Sequence, residues 1–272
     1  MVTISYIPVK TFLSKSKISG VDYAINPYIG CTHKCIYCYA EYMRKFSGHE
    51  EPWGEFLDVR TCNIPFRPIQ LFHTNVLLSS VTDPYNPYER EFQITRNILK
   101  QLRDCQAYVH ILTKSALVIR DLDILKELAN NSSVMFSFSS ADETFRELAE
   151  PGASPIKDKI DALKLLHENG IRTGVMIAPF MPGITDWKDI LQQTRPYTDY
   201  YYVDSLNMRP AYQKRVLTFI ENNYPQTLPL YIDIYMHNNH TYWETLSREI
   251  KSYALTEKLD ISVFFSSPKK TN

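Results

Sequence analysis

The stretch that decides the fold of this sequence is Gly30-Cys31-Thr32-His33-Lys34-Cys35-Ile36-Tyr37-Cys38-Tyr39-Ala40. It carries three of the chain's five cysteines within eight residues, at the spacing C-x3-C-x2-C. Thiolates this close in the chain can bind one metal ion or one iron–sulfur cluster without a long loop between them. Three ligands leave a coordination position open, which is typical of metal sites that carry out chemistry. The stretch therefore predicts a reactive metal or iron–sulfur centre.

Two other uses of these cysteines are possible. A structural zinc site could use the same three cysteines with His33, His49 or Cys62. Zinc sites more often combine two separated ligand pairs, and the chain contains no second C-x2-C. A disulfide is disfavoured because the three cysteines are crowded and odd in number. An iron–sulfur cluster is the favoured interpretation, and zinc remains the alternative.

The residues that flank the cysteines extend the pattern. The segment 26–30 reads Asn-Pro-Tyr-Ile-Gly, and tyrosines stand on both sides of the last cysteine. With these flanks the stretch resembles the radical S-adenosylmethionine (SAM) superfamily, and within it the branch that contains spore photoproduct lyase. The resemblance implies a [4Fe–4S] cluster on the cysteine triad, which we define as Cys31, Cys35 and Cys38.

The same resemblance implies a reaction. In such enzymes the open iron binds SAM, and a one-electron reduction cleaves SAM to a 5′-deoxyadenosyl radical that abstracts a hydrogen atom from a substrate. The electron donor would be a partner such as a flavodoxin or a ferredoxin. The protein's own task is to position and shield the cofactors.

The composition is that of a globular protein. The chain has 272 residues, 44% of them hydrophobic and 22% charged, with a formal net charge of +0. This neutrality weakens the case for strong non-specific binding to nucleic acid, which needs a basic surface. The N-terminal sequence predicts no secretory signal, and no stretch approaches the ~20 apolar residues of a membrane span. Together with an oxygen-sensitive cluster, these features predict a cytoplasmic protein without a membrane partner.

Six predicted strands alternate with helices. The strands are expected at 21–25, 75–81, 108–112, 134–139, 173–178 and 200–206. Such alternation requires parallel pairing through crossover connections. It predicts an α/β fold, a partial (β/α)6 TIM-type barrel with parallel strands, in a single domain with a short C-terminal α/β extension. The expected divisions are an N-terminal lead-in at 1–20, the barrel core at 21–225, and an extension packed on the core at 226–272.

Two local expectations belong to this prediction. The lead-in at 1–20 shows little periodicity and is expected to be extended. Glu89 is expected to open one amphipathic helix that continues to Arg103, because apolar residues recur there at helical spacing.

Several candidate site residues fall at the C-terminal ends of the predicted strands, where barrels of this kind hold their active sites. They are Asp83, Lys114, Ser137, Ala178 and Arg209. By resemblance, Lys114 holds the SAM carboxylate and Ser137 contacts the ribose or methionine part. The backbone near Ala178 would meet the adenine.

The motif Thr82-Asp83-Pro84-Tyr85 also resembles the second-strand motif of this branch. By that resemblance, Thr82 and Asp83 are expected to receive the SAM ammonium, and Tyr37 is expected to contact a cofactor. The alternatives are a proline-rich turn with an Asp cap at 82–85, and an ordinary surface lysine at Lys114.

The hydrogen donor and the substrate are less defined. Spore photoproduct lyase uses a cysteine donor where this chain has Ser80, and a serine O–H bond is too strong for that role, so the lyase activity itself is disfavoured. Catalytic candidates are Tyr37, Tyr85, Cys62 and Arg209; a rim arginine in a salt bridge is the alternative for Arg209. The reaction would be lyase-like or transferase-like, on a nucleic acid or nucleotide. A peptide, a protein or a small metabolite is the alternative substrate, and a non-enzymatic iron–sulfur or zinc module is a third hypothesis.

Overall fold

The computed structural model describes residues 2–265 of the chain. The described residues form eleven strands in two sheets. Many of these strands are rich in β-branched and aromatic residues, which suit a pleated, partly buried surface. In chain order they are β1 Thr3–Pro8, β2 Leu13–Lys15, β3 Tyr23–Ile25, β4 Tyr28–Ile29, β5 Phe56–Thr61, β6 Asn75–Leu78, β7 Tyr108–Thr113, β8 Ser132–Phe138, β9 Arg172–Phe180, β10 Tyr200–Ser205 and β11 Ile261–Val263.

The larger sheet forms the scaffold. Its strand order is β11-β10-β9-β8-β7-β6-β3-β2, so that the six predicted strands, β3 and β6 to β10, lie side by side in chain order. Every pair from β3 to β11 is parallel, whereas β2 runs antiparallel to β3 at one edge. The predicted α/β fold, a partial TIM-type barrel with parallel strands, is confirmed, and β11 adds a further parallel strand beside β10.

Helices supply the crossover connections that parallel strands require. The α-helices are α1 Pro68–Leu71, α2 Glu89–Phe92, α3 Ile94–Leu102, α4 Leu122–Glu127, α5 Glu143–Ala149, α6 Ile156–Glu168, α7 Trp187–Thr194, α8 Pro210–Asn223, α9 Leu228–Tyr235 and α10 Thr241–Glu257. Short 3₁₀ helices lie at Tyr39–Phe46, Arg103–Cys105, Ala116–Asp121, Ala129–Asn131, Arg195–Tyr197 and Pro225–Thr227.

Burial along the strands distinguishes the two faces of the sheet. Strand β8 is buried over its whole length, as expected for a central strand that is covered on both faces. In β7 the buried residues Val109 and Ile111 alternate with the partly exposed His110 and Leu112. Val109 and Ile111 belong to the main apolar core, whereas Leu112 lines a cavity on the concave face. Because the side chains alternate in this way, one face of β7 packs in the core and the other faces the interior of the barrel.

The prediction of a single helix from Glu89 to Arg103 is wrong. The chain breaks at Gln93, which adopts a left-handed conformation with φ 52°, and a new helix begins at Ile94. The buried Glu89 carboxylate accepts the backbone N–H groups of Thr95 (3.0 Å) and Arg96 (3.2 Å). A carboxylate that binds these first-turn N–H groups caps the second helix, and this explains the break.

The lead-in at 1–20 is extended, as expected, and two of its segments also pair with strands elsewhere in the chain. It contains β1, which pairs in parallel with β5, and β2, which pairs with β3. Strands β1, β5 and β4 make a second, three-stranded sheet. These pairings join segments far apart in the chain, and local periodicity cannot reveal them. The proposed boundaries at 20/21 and 225/226 stay predictions, and the last part of the 226–272 extension, residues 266–272, lies outside the described residues.

Helix α5 was not predicted. It begins after Asp142, whose side chain accepts the N–H of Thr144 at 2.8 Å. It leads directly into Glu150, so its end positions a buried charge described below. Among residues 2–265, every helix is too short or too polar to cross a membrane.

Candidate active site

A cavity of about 430 Å³ lies at the C-terminal ends of the parallel strands. Its wall combines the cysteine loop, which we define as 30–40, with the C-terminal parts of β7 to β10 and the segments that follow β6, β7 and β10. This volume falls in the range of small-molecule sites, and the loops at this end of a barrel converge on one place. The cavity is lined by ten of the predicted residues: Cys31, Cys35, Tyr37, Cys38, Thr82, Asp83, Lys114, Ser137, Ala178 and Arg209.

Two of the predicted catalytic candidates, Tyr85 and Cys62, lie outside this cavity. The Tyr85 side chain is fully buried, and its hydroxyl donates to Asp121 at 3.1 Å. Its backbone N–H is bound by Asp83 (2.8 Å) in a turn that directs the ring into the core. Cys62 follows β5 in the small sheet and donates to the carbonyl oxygen of Ile64 at 3.5 Å. Neither residue lines the cavity.

Two close backbone approaches fix the cysteine loop. Gly30 has a φ of +93°, and a Cβ there would lie 2.4 Å from the carbonyl oxygen of Phe56. A Cβ on Gly152 would lie 2.3 Å from the carbonyl oxygen of Thr32. The Gly152 N–H also donates to the carbonyl oxygen of His33 at 3.0 Å. Only glycine lets the backbone pass this close at either point.

Distant segments complete the attachment of the loop. The N–H of Ile36 donates to the carbonyl oxygen of Ala149 at 3.0 Å, at the end of α5. Arg215 of α8 donates to the Ile36 carbonyl oxygen and to the Glu41 carboxylate, each at 2.7 Å. The cysteine loop is therefore held from both sides by helices that come much later in the chain.

The end of β6 is tied to the same loop. The Asn26 side-chain oxygen accepts the backbone N–H groups of Ser80 (2.9 Å) and Val81 (3.1 Å). The Thr82 hydroxyl donates to the carbonyl oxygen of Gly30 at 2.5 Å. Thr82 thus anchors the cysteine loop in addition to lining the cavity.

The triad thiols lie in an apolar setting. Cys31 packs with Ala40, Trp53 and Phe56, and Cys38 borders this group. Burial raises the pKa of each triad thiol, and neighbouring anionic groups raise it further. A bound metal reverses this effect, because it stabilises the thiolate. The triad is therefore a set of ligands that would ionise when metal binds.

The Asp83 carboxylate accepts hydrogen bonds from three protein groups. Its two carboxylate oxygens accept the Thr113 hydroxyl (2.7 Å) and the backbone N–H groups of Lys114 and Tyr85 (both 2.8 Å). The imidazole Nδ1 of His33 lies 3.4 Å from the same carboxylate. Burial lowers the pKa of His33, so this imidazole is neutral near pH 7. Asp83 thereby joins the cysteine loop to the end of β7.

Lys114 reaches across the ends of three strands. Its ammonium donates to the Ser137 hydroxyl (2.6 Å) and to the carbonyl oxygen of Ala178 (3.3 Å). The Ser137 hydroxyl in turn donates to the Ala178 carbonyl at 2.9 Å. The three residues predicted to contact SAM through β7, β8 and β9 are thus brought into direct contact with one another.

A buried carboxylate balances this cation. Glu150 is 1% exposed and lies 3.4 Å from the Lys114 ammonium, and it accepts a hydrogen bond from the Tyr37 hydroxyl. Burial alone would raise the pKa of Glu150, but the charges of Lys114 and Lys159 outweigh it and hold that pKa at about 2. Lys159 is 0% exposed, and burial lowers its pKa to about 8. Its ammonium donates to the Ser137 carbonyl at 3.1 Å.

Comparison with known proteins identifies the family. A family model described as the radical SAM superfamily matches residues 25–193. The chain belongs to the radical SAM superfamily. The matched segment contains the cysteine triad, Lys114, Ser137 and Ala178.

Relatives of this radical SAM protein include an uncharacterised protein of Methanocaldococcus jannaschii, which is 36% identical over 83% of this chain and 85% of its own length. Among solved structures, spore photoproduct lyase in complex with dinucleoside spore photoproduct superposes with a TM-score of 0.68 at 17% identity, covering 97% of this chain and 82% of that one. SuiB of Streptococcus suis bound to S-adenosylmethionine superposes with a TM-score of 0.58 at 12% identity, covering 90% of this chain and 50% of that one. At these identities the two structural likenesses concern the fold.

Membership of the radical SAM superfamily implies a [4Fe–4S] cluster and SAM, and the surroundings of the triad fit a cluster. Seven buried side-chain polar atoms of the described residues lack a hydrogen-bond partner. Four of them belong to the cysteine loop, its packing partners or the cavity wall: Thr32 Oγ1, His33 Nε2, Trp53 Nε1 and Ser79 Oγ. Buried polar groups normally find partners, and the sulfurs of a cluster accept hydrogen bonds.

The triad fits a cluster better than a single ion. Among residues 2–265 no group of three or more His, Cys, Asp or Glu side chains is arranged to hold one metal ion. In a [4Fe–4S] cluster each cysteine binds a different iron, so the sulfurs need only surround a larger body. This arrangement weakens the zinc alternative for the radical SAM chain.

The mouth of the cavity carries polar groups from β10 and the loop after it. Asp204, Asn207 and Arg209 line it on this side, and Tyr39 lines it on the side of the cysteine loop. Burial raises the pKa of the Asp204 carboxyl, and it raises the pKa of Tyr39 to about 12, to which the Asp204 charge also contributes. Within the described residues no carboxylate lies within 4.0 Å of the Arg209 guanidinium. These groups therefore line the same cavity as Lys114, Ser137 and Ala178.

Sequence reasoning missed Glu150, Lys159 and Asp204 as site residues of this radical SAM protein. Glu150 stands in the family-like segment Glu-Pro-Gly, which is a signal that could have marked it. Lys159 falls on the buried side of α6, where a lysine among apolar neighbours signals a buried charge. Asp204 stands on the sixth predicted strand, near the end that faces the site.

Proposed function

We propose that this chain is a radical SAM enzyme whose cysteine triad holds a [4Fe–4S] cluster. When bound, the cluster supplies one electron that breaks the S–C5′ bond of SAM, giving methionine and a 5′-deoxyadenosyl radical that takes a hydrogen atom from a substrate. The observation that carries the proposal is the convergence of the triad and the Lys114 network on one cavity at the strand ends.

The triad residues would each bind one iron as thiolates. Three ligands leave the fourth iron free for SAM, and the apolar packing of Cys31 and Cys38 keeps water from the reactive centre. The raised pKa of each thiol is then overcome by the charge of the iron.

The other cavity residues would position SAM. Lys114 would bind its carboxylate: Glu150 lies 3.4 Å from the Lys114 ammonium, but it is also the counter-charge of Lys159, so the two lysines exceed this carboxylate by one positive charge. Thr82 and Asp83 would lie near the SAM ammonium, and Tyr37 would contact a cofactor beside the cysteine triad. The backbone at Ala178 would receive the adenine. These roles come from the family resemblance and agree with the positions of the residues around the cavity.

The substrate would enter at the mouth formed by Asp204, Asn207 and Arg209. We propose a nucleic acid or nucleotide, because the structural relative spore photoproduct lyase is seen with a dinucleoside photoproduct. Arg209, without an ion-pair partner among the described residues, suits a phosphate. Ser80 lines the cavity in place of a thiol, so the outcome would differ from that of the lyase.

A peptide, protein or small metabolite is the second candidate substrate. Two observations favour it, the formal net charge of +0 and the Asp204 carboxylate at the mouth, since both oppose a polyanion. A flavodoxin or ferredoxin would serve as electron donor. The five free cysteines and the cluster would require a reducing compartment such as the cytoplasm.

The deciding experiment is anaerobic reconstitution with iron and sulfide, followed by reduction in the presence of SAM. We expect about four irons per chain and 5′-deoxyadenosine that depends on each triad cysteine. Cys105→Ala is the matched control, since Cys105 is buried against the Gln101 carbonyl and lies outside the cavity. One zinc per chain, with no iron retained, would overturn the proposal.

The substrate class has its own measurement. Single-stranded DNA and a neutral peptide of similar mass are added separately, and the rate of 5′-deoxyadenosine formation is recorded. Stimulation by DNA that weakens steeply as salt rises supports a nucleic acid. Stimulation by the peptide alone would replace the first candidate by the second.

A further inference from the structure

The segment before β5 passes tightly over the cysteine loop. Gly54 has a φ of +93°, and a Cβ on it would lie 2.6 Å from the Lys34 Cγ atom. The residue before it, Trp53, is 8% exposed and packs edge-on against Phe56, with ring centroids 5.7 Å apart. The indole is therefore packed in the apolar group that also contains Cys31, and Cys38 packs against this group.

The indole N–H of Trp53 is buried without a hydrogen-bond partner. An unpaired buried donor is costly, so such a group indicates an acceptor that arrives later. Cys38 packs against the same apolar group, so its sulfur lies beside the group that holds the indole. Burial raises the pKa of the Cys38 thiol, whereas the Trp53 side chain acts on the same sulfur and lowers it.

We propose that the Trp53 N–H donates a hydrogen bond to the Cys38 sulfur once that sulfur is a thiolate ligand of the cluster. The inference rests on the proposed function, since it concerns the cluster of that site. A ligated thiolate is a stronger acceptor than a thiol, because its charge strengthens the hydrogen bond.

The consequence is a raised reduction potential. Reduction adds negative charge to the cluster, and a donor to a ligand sulfur stabilises the more negative state. The backbone N–H of Ala40 also acts on Cys38, so that this sulfur receives a donor from the main chain and a second one from a side chain. Trp53 is a positioning and tuning residue here, since it acts through Cys38.

The test compares Trp53→Phe with Trp187→Phe in the reconstituted protein. Both changes delete one indole N–H from a tryptophan that is 8% or 6% exposed, but Trp187 packs on Tyr253 of α10, away from the cavity. The midpoint potential is measured by redox titration with the EPR signal of the reduced cluster. We expect Trp53→Phe to shift it to a more negative value at unchanged iron content, and Trp187→Phe to leave it unchanged.

Equal midpoint potentials for Trp53→Phe and the wild type would overturn the inference. If Trp53→Phe fails to hold iron, the wild-type protein grown with indole-¹⁵N tryptophan decides the matter. A ¹⁵N coupling in the ENDOR spectrum of the reduced cluster supports the hydrogen bond, and its absence refutes it. A wild-type chain that takes up no iron would overturn the proposed function and this inference with it, whereas equal potentials would overturn the inference alone.

Discussion

Replacing Glu150 by Gln should destabilise the protein strongly, because this carboxylate is the counter-charge of the buried Lys159 and of the partly buried Lys114. Its pKa lies at about 2, compared with an ordinary value of 4.5. At about 1.4 kcal/mol for each pKa unit, the native interactions of the carboxylate are worth roughly 3 kcal/mol at pH 7. Removing one partner from a buried ion pair typically costs about 3–5 kcal/mol, which agrees. Glu150 is 1% exposed, so solvent screening does not reduce this figure.

The assay is urea unfolding of the wild type, Glu150→Gln and Glu147→Gln. Glu147 lies on α5, which ends just before Glu150; its side chain is 65% exposed and 3.4 Å from Arg146, and its loss should cost less than about 1 kcal/mol. Because the pKa of Glu150 is depressed on folding, its contribution is complete above pH 4.5 and disappears as the pH falls towards 2. The gap between wild type and Glu150→Gln should close over that interval.

A double variant sharpens the test. Adding Lys159→Met to Glu150→Gln removes a lysine that would otherwise be buried without its counter-charge, so the double variant should be more stable than Glu150→Gln alone. The reasoning is refuted if Glu150→Gln costs no more than Glu147→Gln, or if its cost is the same at pH 7 and near pH 2.

The remaining predictions concern the cavity. Alanine at any position of the cysteine triad should abolish iron binding, whereas Cys62→Ala should retain it, and an iron assay after reconstitution checks both; equal loss from Cys62→Ala would contradict the three-ligand assignment. Lys114→Met should weaken SAM binding by roughly 10- to 100-fold, the value of one charged hydrogen bond, without loss of iron. Equilibrium binding measures this, and an unchanged affinity would remove the carboxylate role. Gly152→Ala should displace the cysteine loop, since its Cβ would lie 2.3 Å from the Thr32 carbonyl oxygen. Iron content and thermal stability should both fall, and a variant with wild-type values would show that the approach is not tight.

The sequence was sufficient for the barrel and for the residues at its strand ends. Lys114 directly follows one predicted strand, Ser137 and Ala178 stand on the next two, and parallel neighbours in chain order bring the C-terminal ends of these strands together. Once the strand order was right, the convergence of these residues followed. Their contacts, such as the 2.6 Å hydrogen bond from Lys114 to Ser137, come from side-chain packing and could not be predicted.

Two of the failures, Cys62 and Lys159, come from long-range contacts that a local sequence pattern does not encode, and the third, Tyr85, comes from a local turn. Cys62 falls outside the cavity because β5 pairs with β1, about fifty residues earlier, and so belongs to the small sheet. Tyr85 turns inward because the Asp83 side chain binds its N–H. Lys159 lies on the buried side of α6, and only the fold brings its charge within electrostatic range of Glu150.

The attachment of the cysteine loop has a consequence for biosynthesis. Arg215 is 179 positions beyond Ile36, whose carbonyl oxygen it binds. At a translation rate of about 5–20 residues per second, the ribosome needs roughly 10 to 40 seconds to make the intervening chain. Until Arg215 has also been made and has left the ribosome, the cysteine loop lacks the hydrogen bond from Arg215 to the Ile36 carbonyl oxygen. Iron insertion is therefore expected after translation, once α8 has docked, and a nascent chain stalled before Arg215 should hold its iron less firmly than the finished protein.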